Sequence, residues 1–183
     1  YDGRLVPPDV VERLLAAAMW APSAHNRQPW RFVVMEEATN KERLAAVMGA
    51  QLRRDLAADG LPPEAIERDA ARSYARLTAA PLLVLVCLSL SDMDDYPDAR
   101  RQAHETTMAV QSAAMAGQNL LLAAHALGLG ACWVCAPLFC PEVVRETLAL
   151  PVDWQPQGLI TAGYPAETRQ KTRASLETRV IFK

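Results

Sequence analysis

The chain has 183 residues, of which 51% are hydrophobic and 22% are charged, and its formal net charge is −2. This length predicts a single domain spanning residues 1–183, with enough apolar residues for a core of its own. The slightly acidic balance argues against binding to nucleic acid or to an anionic membrane surface, since both require a basic surplus. No apolar run reaches the roughly 18 residues of a membrane span, and no secretory signal is visible, so we expect a cytoplasmic protein.

The first sixty residues predict two helices that flank an unusual loop and a short strand. Apolar residues recur at helical spacing over residues 10–19, and residues 31–35 are typical of a buried strand. Thr39 and Glu42 match a capping box, which predicts a helix with Thr39 as its N-cap that runs to about Met48. The charged residues 53–63, interrupted by glycine and proline, indicate a surface excursion or a lid.

The middle of the chain contains the strongest predicted strand and the longest predicted helix. Residues 81–90 are almost continuously apolar, which indicates a strand buried on both faces between layers of helices. A charged helix is predicted before this strand, over residues 64–77. Residues 99–127 predict a long alanine-rich helix that is too apolar for the surface and that ends at Gly128.

The last third of the chain predicts short elements. They are a strand edge over residues 132–136, a helix over 141–148, and strands over 158–162 and 179–182. The complete order of helices and strands predicts an α+β or α/β fold in which helices cover a small sheet.

The cysteines do not indicate a disulfide framework or a metal site. All four lie in apolar sequence surroundings, at Cys87, Cys132, Cys135 and Cys140. We expect reduced thiols in the core, because intracellular proteins seldom contain disulfides. Cys132 and Cys135 have no second cysteine pair and no neighbouring histidine, which argues against zinc.

The most informative segment is the loop over residues 20–32. It contains two prolines, two tryptophans and six polar or charged side chains. A simple turn requires a glycine, Asn-Gly or a single proline, so this loop is too polar and too aromatic to be only a connector. Ser23 and Asn26 offer short hydrogen-bonding side chains, Gln28 is placed to buttress the loop, and Trp30 is placed to anchor it in the core.

The sequence lacks the motifs of several other enzyme classes. It has no Gly-x-Gly-x-x-Gly dinucleotide fingerprint, no Walker loop and no Gly-x-Ser-x-Gly nucleophile elbow. An enzyme without an evident acid, base or metal group can rely on a bound cofactor for its chemistry.

Residues 22–30 resemble the Pro-Ser-x-x-Asn-x-Gln-Pro-Trp segment of the nitroreductase family of flavin enzymes, in which this segment lines the face of bound FMN. The resemblance implies an α+β, nitroreductase-like fold, with a small mixed sheet covered by helices and a long central helix. It also implies that part of an FMN site is formed by Pro22, Ser23, Ala24, Asn26 and Gln28.

Two further segments resemble the same family. Residues 128–134 are similar to its Gly-Leu-Gly turn, beyond which the backbone passes the flavin ring. The positions that match these ring contacts are Trp133, Val134, Cys135 and Ala136. Lys171 and Arg173 resemble the family's basic pair on the FMN phosphate, and a lysine charge beside an arginine fork suits a dianion. The arginine-rich segment with which the family usually opens would fall before Tyr1.

Residues 53–62, 96–98 and 151–154 resemble the nitroreductase-like carboxyl-terminal domain of bacterial coenzyme F(420) gamma-glutamyl ligases. In those proteins the domain is associated with reducing a biosynthetic precursor, using FMN. An anionic deazaflavin could meet a group of arginines, although solvated surface positions are the commoner role of such residues. These arginines are Arg53, Arg54, Arg100 and Arg101.

The resemblance implies an FMN-dependent oxidoreductase that acts as a homodimer. One chain would supply the phosphate grip and its partner the Pro-Ser loop, and the long helix and the strand over residues 179–182 would lie at the interface. NAD(P)H would deliver hydride in a ping-pong reaction, and the acceptor would be a nitroaromatic, a quinone or a deazaflavin precursor. No side chain is assigned as a catalytic acid or base.

Three alternatives remain open at this stage. The chain could bind flavin or deazaflavin without turnover, or it could be a flavin-consuming or dehalogenating member of the same superfamily. It could also be a purely structural partner of a ligase.

Overall fold

The computed structural model describes residues 1–167 and 171–183. The α-helices in this part are α1 (Pro8–Met19), α2 (Ala38–Ala58), α3 (Pro63–Thr78), α4 (Ala99–Ala126) and α5 (Pro141–Thr147). The strands are β1 (Trp30–Met35), β2 (Leu82–Leu88), β3 (Gly130–Val134) and β4 (Gln155–Gly163). Short 3-10 turns cover Ala24–Asn26, Ala136–Phe139 and Leu176–Thr178. None of the described helices is both long enough and apolar enough to cross a bilayer.

The described strands form one sheet in the order β1-β2-β4-β3. The expected combination of a small sheet, covering helices and a long central helix is confirmed. However, the described strands pair only antiparallel, where we expected a mixed sheet. The reason is the position of β4. α4 joins β2 to β3 as in a parallel crossover, but β4 lies between these two strands and runs antiparallel to both.

Helices cover both faces of the sheet. One core packs α1 and α4 against one set of β2 side chains, and a second core packs α2, α3 and α5 against the alternate set. Every residue of β2 is buried. This two-sided burial explains why the strand has no polar alternation, and it confirms the prediction for residues 81–90.

The long helix is confirmed almost to the residue. Asp98 caps its first turn, because the Asp98 Oδ1 accepts the backbone N–H of Arg101 at 3.0 Å, and this bond lowers the pKa of the carboxyl. Gly128 has a φ of 77° at the far end. The N–H of Leu129 then bonds to the Ala124 carbonyl at 2.8 Å, which is the Schellman arrangement that favours glycine.

The predicted capping box and lid are wrong. Glu37, not Thr39, is the N-cap residue of α2, and it makes no side-chain capping bond. The helix continues to Ala58, so most of the expected lid is its second half. It ends where Gly60, at a φ of 78°, allows a Schellman turn before α3 begins. α2 and α3 therefore pack against each other as a helical hairpin.

The predicted strand over residues 179–182 is absent from the described structure. Ile181 and Phe182 are 83% and 87% exposed. Hydrogen bonds formed by the described residues 171–183 stay within that segment. A strand requires a partner edge, and this tail pairs with none of the described strands.

The cysteines are all free thiols, but they do not all belong to the core. Cys87 and Cys140 are buried, whereas Cys132 and Cys135 are exposed. Burial raises the pKa of the Cys87 thiol to about 12, so this group is chemically inert. The expectation that all four cysteines are core residues is wrong, because Cys132 lies on the edge strand β3 and Cys135 at the start of the turn after it.

Candidate functional site

The loop between α1 and β1 contains the strongest backbone strain near the predicted site. His25, Asn26 and Gln28 have φ values of 49°, 55° and 53°, in the left-handed region that side chains other than glycine rarely adopt. Such conformations cost about 1–2 kcal/mol each and persist only where the surroundings enforce them. Three of them within four residues indicate a bend kept for a purpose other than chain reversal.

Two serines hold this bend. Ser23 Oγ accepts the backbone N–H of Gln28 at 3.0 Å, which closes the loop across its base. Ser112 Oγ, in the middle of α4, accepts the N–H of Ala24 at 3.3 Å and donates its own proton to the Met108 carbonyl at 2.7 Å. The loop is thus attached to the central helix, and Ser112 is a site residue that the sequence analysis missed.

These attachments decide which donors remain for a ligand. Within the bend, Asn26 N–H bonds to the Ser23 carbonyl at 3.1 Å and Arg27 N–H to the Ala24 carbonyl at 3.0 Å. The N–H groups of residues 24, 26, 27 and 28 therefore all have protein partners. The donors of the bend without a partner among the described residues include the backbone N–H of His25, the proton of the Ser23 hydroxyl and the amide protons of Asn26. A ligand would therefore be recognised by main chain and side chains together.

Gln28 supports the bend from the side. Its Nε2 donates to the Asn26 Oδ1 at 3.4 Å, so the side-chain oxygen of Asn26 is engaged and its NH2 group is not. This contact fits the buttressing role predicted for Gln28. Trp30 lies behind the loop, 3% exposed, with its Nε1 donating to the Met19 sulfur at 3.1 Å.

A concave surface of about 320 Å³ adjoins the bend. Its walls are Met19, Trp20, Ala21, Asn26 and Gln28. Trp20 is 87% exposed, which is unusual for the largest aromatic side chain. An exposed aromatic group beside two amide side chains forms a surface suited to a flat, polar-edged ring.

The two arginines of the loop are already paired. Arg27 forms an ion pair with Asp94, and Arg31 forms one with Asp92. The acidic loop before α4 thus neutralises the positive charges next to the bend. Any anionic group bound near the bend would need other cations.

The second predicted group lies at the end of β3. The Trp133 indole fills the space beside two glycines, so that a Cβ on Gly117 or Gly158 would lie 2.3 or 2.2 Å from the ring. Trp133 therefore anchors β3 to α4 and β4. Val134 pairs with Leu159 in the sheet, Cys135 is exposed, and Ala136 lines a separate cavity.

The sheet places the two predicted groups at the same end but on opposite edges. β1 begins at Trp30, which pairs with Leu88, and Leu88 pairs in turn with Gln155 of β4. β3 ends towards the same end of the sheet, at Val134. Three strand spacings of about 4.8 Å separate the edges, so the two groups lie roughly 14 Å apart across the sheet.

The predicted phosphate residues are exposed to solvent. Lys171 and Arg173 are exposed, and Arg173 bonds only to the neighbouring Thr172 carbonyl at 3.2 Å among the described residues. The structure does not bring this basic pair to the bend within one chain.

The arginines considered for an anionic substrate are mostly engaged. Arg53 forms a two-pronged ion pair with Glu67, with N–O distances of 2.9 to 3.1 Å, and Arg101 pairs with its capping partner Asp98. Arg54 donates to the Gln51 side chain. These contacts favour the surface role for the group.

Comparison with known proteins adds independent information. The model of the Nitroreductase family matches residues 1–164. A Methanothermobacter thermautotrophicus protein, provisionally named NADH dehydrogenase/NAD(P)H nitroreductase, is 32% identical over 169 residues, covering 91% of this chain and 71% of that protein. The 5,6-dimethylbenzimidazole synthase of Rhodospirillum rubrum is 35% identical over 174 residues, covering 88% and 74%.

A solved structure shows the same fold. It is a provisionally named nitroreductase from Desulfovibrio desulfuricans in complex with FMN, with a TM-score of 0.74 and 27% identity, covering 100% of this chain and 88% of that one. The family match extends over most of the chain and includes both the strained bend and the end of β3. The chain therefore belongs to the nitroreductase family.

Proposed function

We propose that this protein is an FMN-dependent oxidoreductase that uses NAD(P)H and works as a homodimer. The observation that carries this proposal is the strained bend at residues 23–28. The main-chain N–H groups of residues 24, 26, 27 and 28 are satisfied internally, while the His25 N–H and the side chains of Ser23 and Asn26 keep free donors beside a concave aromatic surface. Stored strain of this kind is expected at a binding site.

The residues fit the three parts of FMN. The carbonyl-rich edge of an isoalloxazine requires donors, which the Ser23 hydroxyl and the Asn26 amide supply. Its flat ring requires apolar contacts, which Pro22, Ala24 and Trp20 supply. The phosphate requires cations, and Lys171 with Arg173 provides them, since the arginines beside the bend are engaged with aspartates.

Several features support a homodimer. The bend and the end of β3 lie on opposite edges of the sheet, and the basic pair lies on a tail that is exposed in the single chain. The α4 surface also exposes Met115 and Leu122, which lie two turns apart on one face. A two-fold arrangement would cover this face and bring the tail of one chain to the bend of the other.

The proposed reaction balances as a two-electron transfer. When bound, FMN supplies the redox chemistry: NAD(P)H, a proton and a quinone become NAD(P)⁺ and the hydroquinone. The protein binds and orients the reactants in turn and excludes water, without a side chain as acid or base. Candidate acceptors are a nitroaromatic, a quinone or a deazaflavin precursor, the last connecting the protein to coenzyme F(420) biosynthesis.

A titration and a reduction experiment test this function. Purified protein is titrated with FMN and followed by flavin fluorescence, and the loaded protein is then mixed with NADH or NADPH without oxygen. We expect one FMN per chain and loss of the visible flavin absorbance, restored by an acceptor. Binding without reduction would favour a flavin or deazaflavin carrier instead, and no binding would contradict the proposal.

A second candidate follows from the similarity to the dimethylbenzimidazole synthase. Dimethylbenzimidazole has the same dimethylated benzo ring flanked by two nitrogens as isoalloxazine. The alternative is therefore that the chain consumes reduced flavin. Aerobic incubation with reduced FMN, followed by mass spectrometry of the products, distinguishes the two, because only the alternative yields ring fragments.

A further inference from the structure

A cavity of about 260 Å³ lies between α2, α3 and the turn that follows β3. Its walls are mostly apolar and include Met48, Leu52 and Leu56 of α2 with Phe139 from the turn. Its volume is slightly below the roughly 300–1,000 Å³ of sites for drug-sized ligands, so it suits a ligand of one or two rings.

The cavity adjoins the predicted flavin contacts through Ala136. This residue is one of the positions assigned to the ring by family resemblance, and it also lines the cavity. A small aromatic molecule in the cavity would therefore lie next to the proposed cofactor. The inference that follows rests on the proposed function.

The charged groups that line the cavity are two carboxylates, Asp55 and Asp59. Asp55 accepts the Gln51 amide at 2.6 Å, and neither carboxylate forms an ion pair with a described residue. The nearby Arg53 is directed to Glu67 on α3. Nothing described in the lining cancels the negative charge.

The helix adds to this negative potential. Asp59 is the C-cap residue of α2, and the last turn contains no basic side chain. A helix carboxyl terminus has a partial negative charge that normally attracts lysine or arginine, so two aspartates there are unfavourable for the helix. The buried thiol of Cys140, also in the lining, has its pKa raised by burial and further by Asp55 and Glu142.

We infer that this cavity receives the electron acceptor, and that its two aspartates select small aromatic acceptors with a neutral or positive charge and disfavour anionic ones. Quinones and nitroaromatics without a carboxylate or phosphate belong to the favoured class. A phosphodiester-linked deazaflavin belongs to the disfavoured class. The electron balance is that of the reaction above, since the charge on the acceptor affects only its binding.

The test uses three nitro compounds that differ in charge: 4-nitrobenzoate, 4-nitrobenzamide and (4-nitrobenzyl)trimethylammonium. Their kcat/KM values are compared for the FMN-loaded wild type, the double variant Asp55→Asn/Asp59→Asn, and the matched control Asp9→Asn on α1. We expect the cation-to-anion ratio to fall about tenfold or more in the double variant and to stay unchanged in the control. Equal ratios in the wild type and the double variant would overturn the inference.

Two further measurements keep the inference testable if the double variant does not fold. The wild-type preference for the cation should weaken as salt is added, because salt screens exposed charges. Equilibrium binding of the same compounds to FMN-free protein, followed by ligand-observed NMR, should show the cation binding best and FMN not displacing it. Displacement by FMN would show that the cavity belongs to the cofactor. Failure to bind FMN at all would contradict the proposed function, whereas charge-selective binding would still support the cavity assignment.

Discussion

A Cβ atom on Gly158 would lie 2.2 Å from Cζ2 of Trp133, so the indole packs directly against the bare backbone of β4. A Cβ atom on Gly117 of α4 would likewise lie 2.3 Å from Cζ3 of the same ring. The indole of β3 thus packs against both β4 and α4. The residues that follow it, 134–136, include the predicted ring contacts and one wall of the cavity.

Replacement of Gly158 by alanine should destabilise the fold. The added methyl group cannot fit unless the indole moves, and overpacking of this kind costs about 1–3 kcal/mol. Urea denaturation measures the change in the free energy of unfolding. The control is Gly49→Ala in α2, where the nearest atom lies at 3.4 Å on a flexible arginine, and it should be neutral or stabilising. Equal effects of the two changes would contradict the packing described for Trp133.

Two variants of Asn26 separate its side chain from its backbone. Asn26→Gly keeps the positive φ without strain and removes the amide, so FMN affinity should fall about tenfold with little change in stability. Asn26→Ala should lose the same affinity and also about 1 kcal/mol of stability, because alanine is strained in this conformation. Both are measured by flavin titration and thermal unfolding. A glycine variant that binds FMN like the wild type would remove the Asn26 amide from the site.

Arg173→Ala tests the phosphate contact. FMN affinity should fall tenfold or more, because a charge-assisted hydrogen bond to the dianion is lost, whereas riboflavin affinity should hardly change. Arg179→Ala, on the same exposed tail, is the matched control. Equal losses for FMN and riboflavin would show that Arg173 does not contact the phosphate.

The buried Lys41 predicts a pH dependence. Its Nζ donates to the carbonyls of Ala80 and Pro81 at 2.8 and 3.1 Å, and burial lowers its pKa from 10.5. Between the lowered pKa and 10.5 the unfolded chain binds more protons than the folded one, so stability rises with pH in that window. The unfolding free energy of the wild type minus that of Lys41→Met should therefore increase as the pH approaches 10.5. A flat difference would indicate an ordinary lysine pKa.

The sequence predicted the elements whose signals are local and strong. β2 and α4 were found within about two residues because uninterrupted apolar character and a terminal glycine do not depend on neighbours. α2 was mispredicted because Thr39 and Glu42 offered a capping pattern that the chain does not use, while the charged residues after 53 lie on exposed helix surface. Local charge does not by itself distinguish a helix face from a lid.

The sequence indicated which residues form the candidate site, but not the long-range contacts that hold them in place. Ser112 and Ala24 are 88 residues apart, and no local pattern connects them. The fit of Trp133 between two glycines likewise arises only when α4 and β4 meet. A serine in an alanine-rich helix and the single glycine inside that helix were the available signals. The strand predicted over residues 179–182 is absent from the described structure, because apolar residues alone do not show whether a partner edge lies within reach.

The hydrogen bonds that hold the 23–28 bend leave the Asn26 amide protons unused, and this has an evolutionary consequence. Its shape depends on Ser23, Ser112 and backbone geometry, whereas the amide protons of Asn26 take no part in holding it. Substitutions at position 26 can therefore change which ligand is bound without changing the conformation of the bend. Related proteins with the same bend can in this way come to bind different ligands.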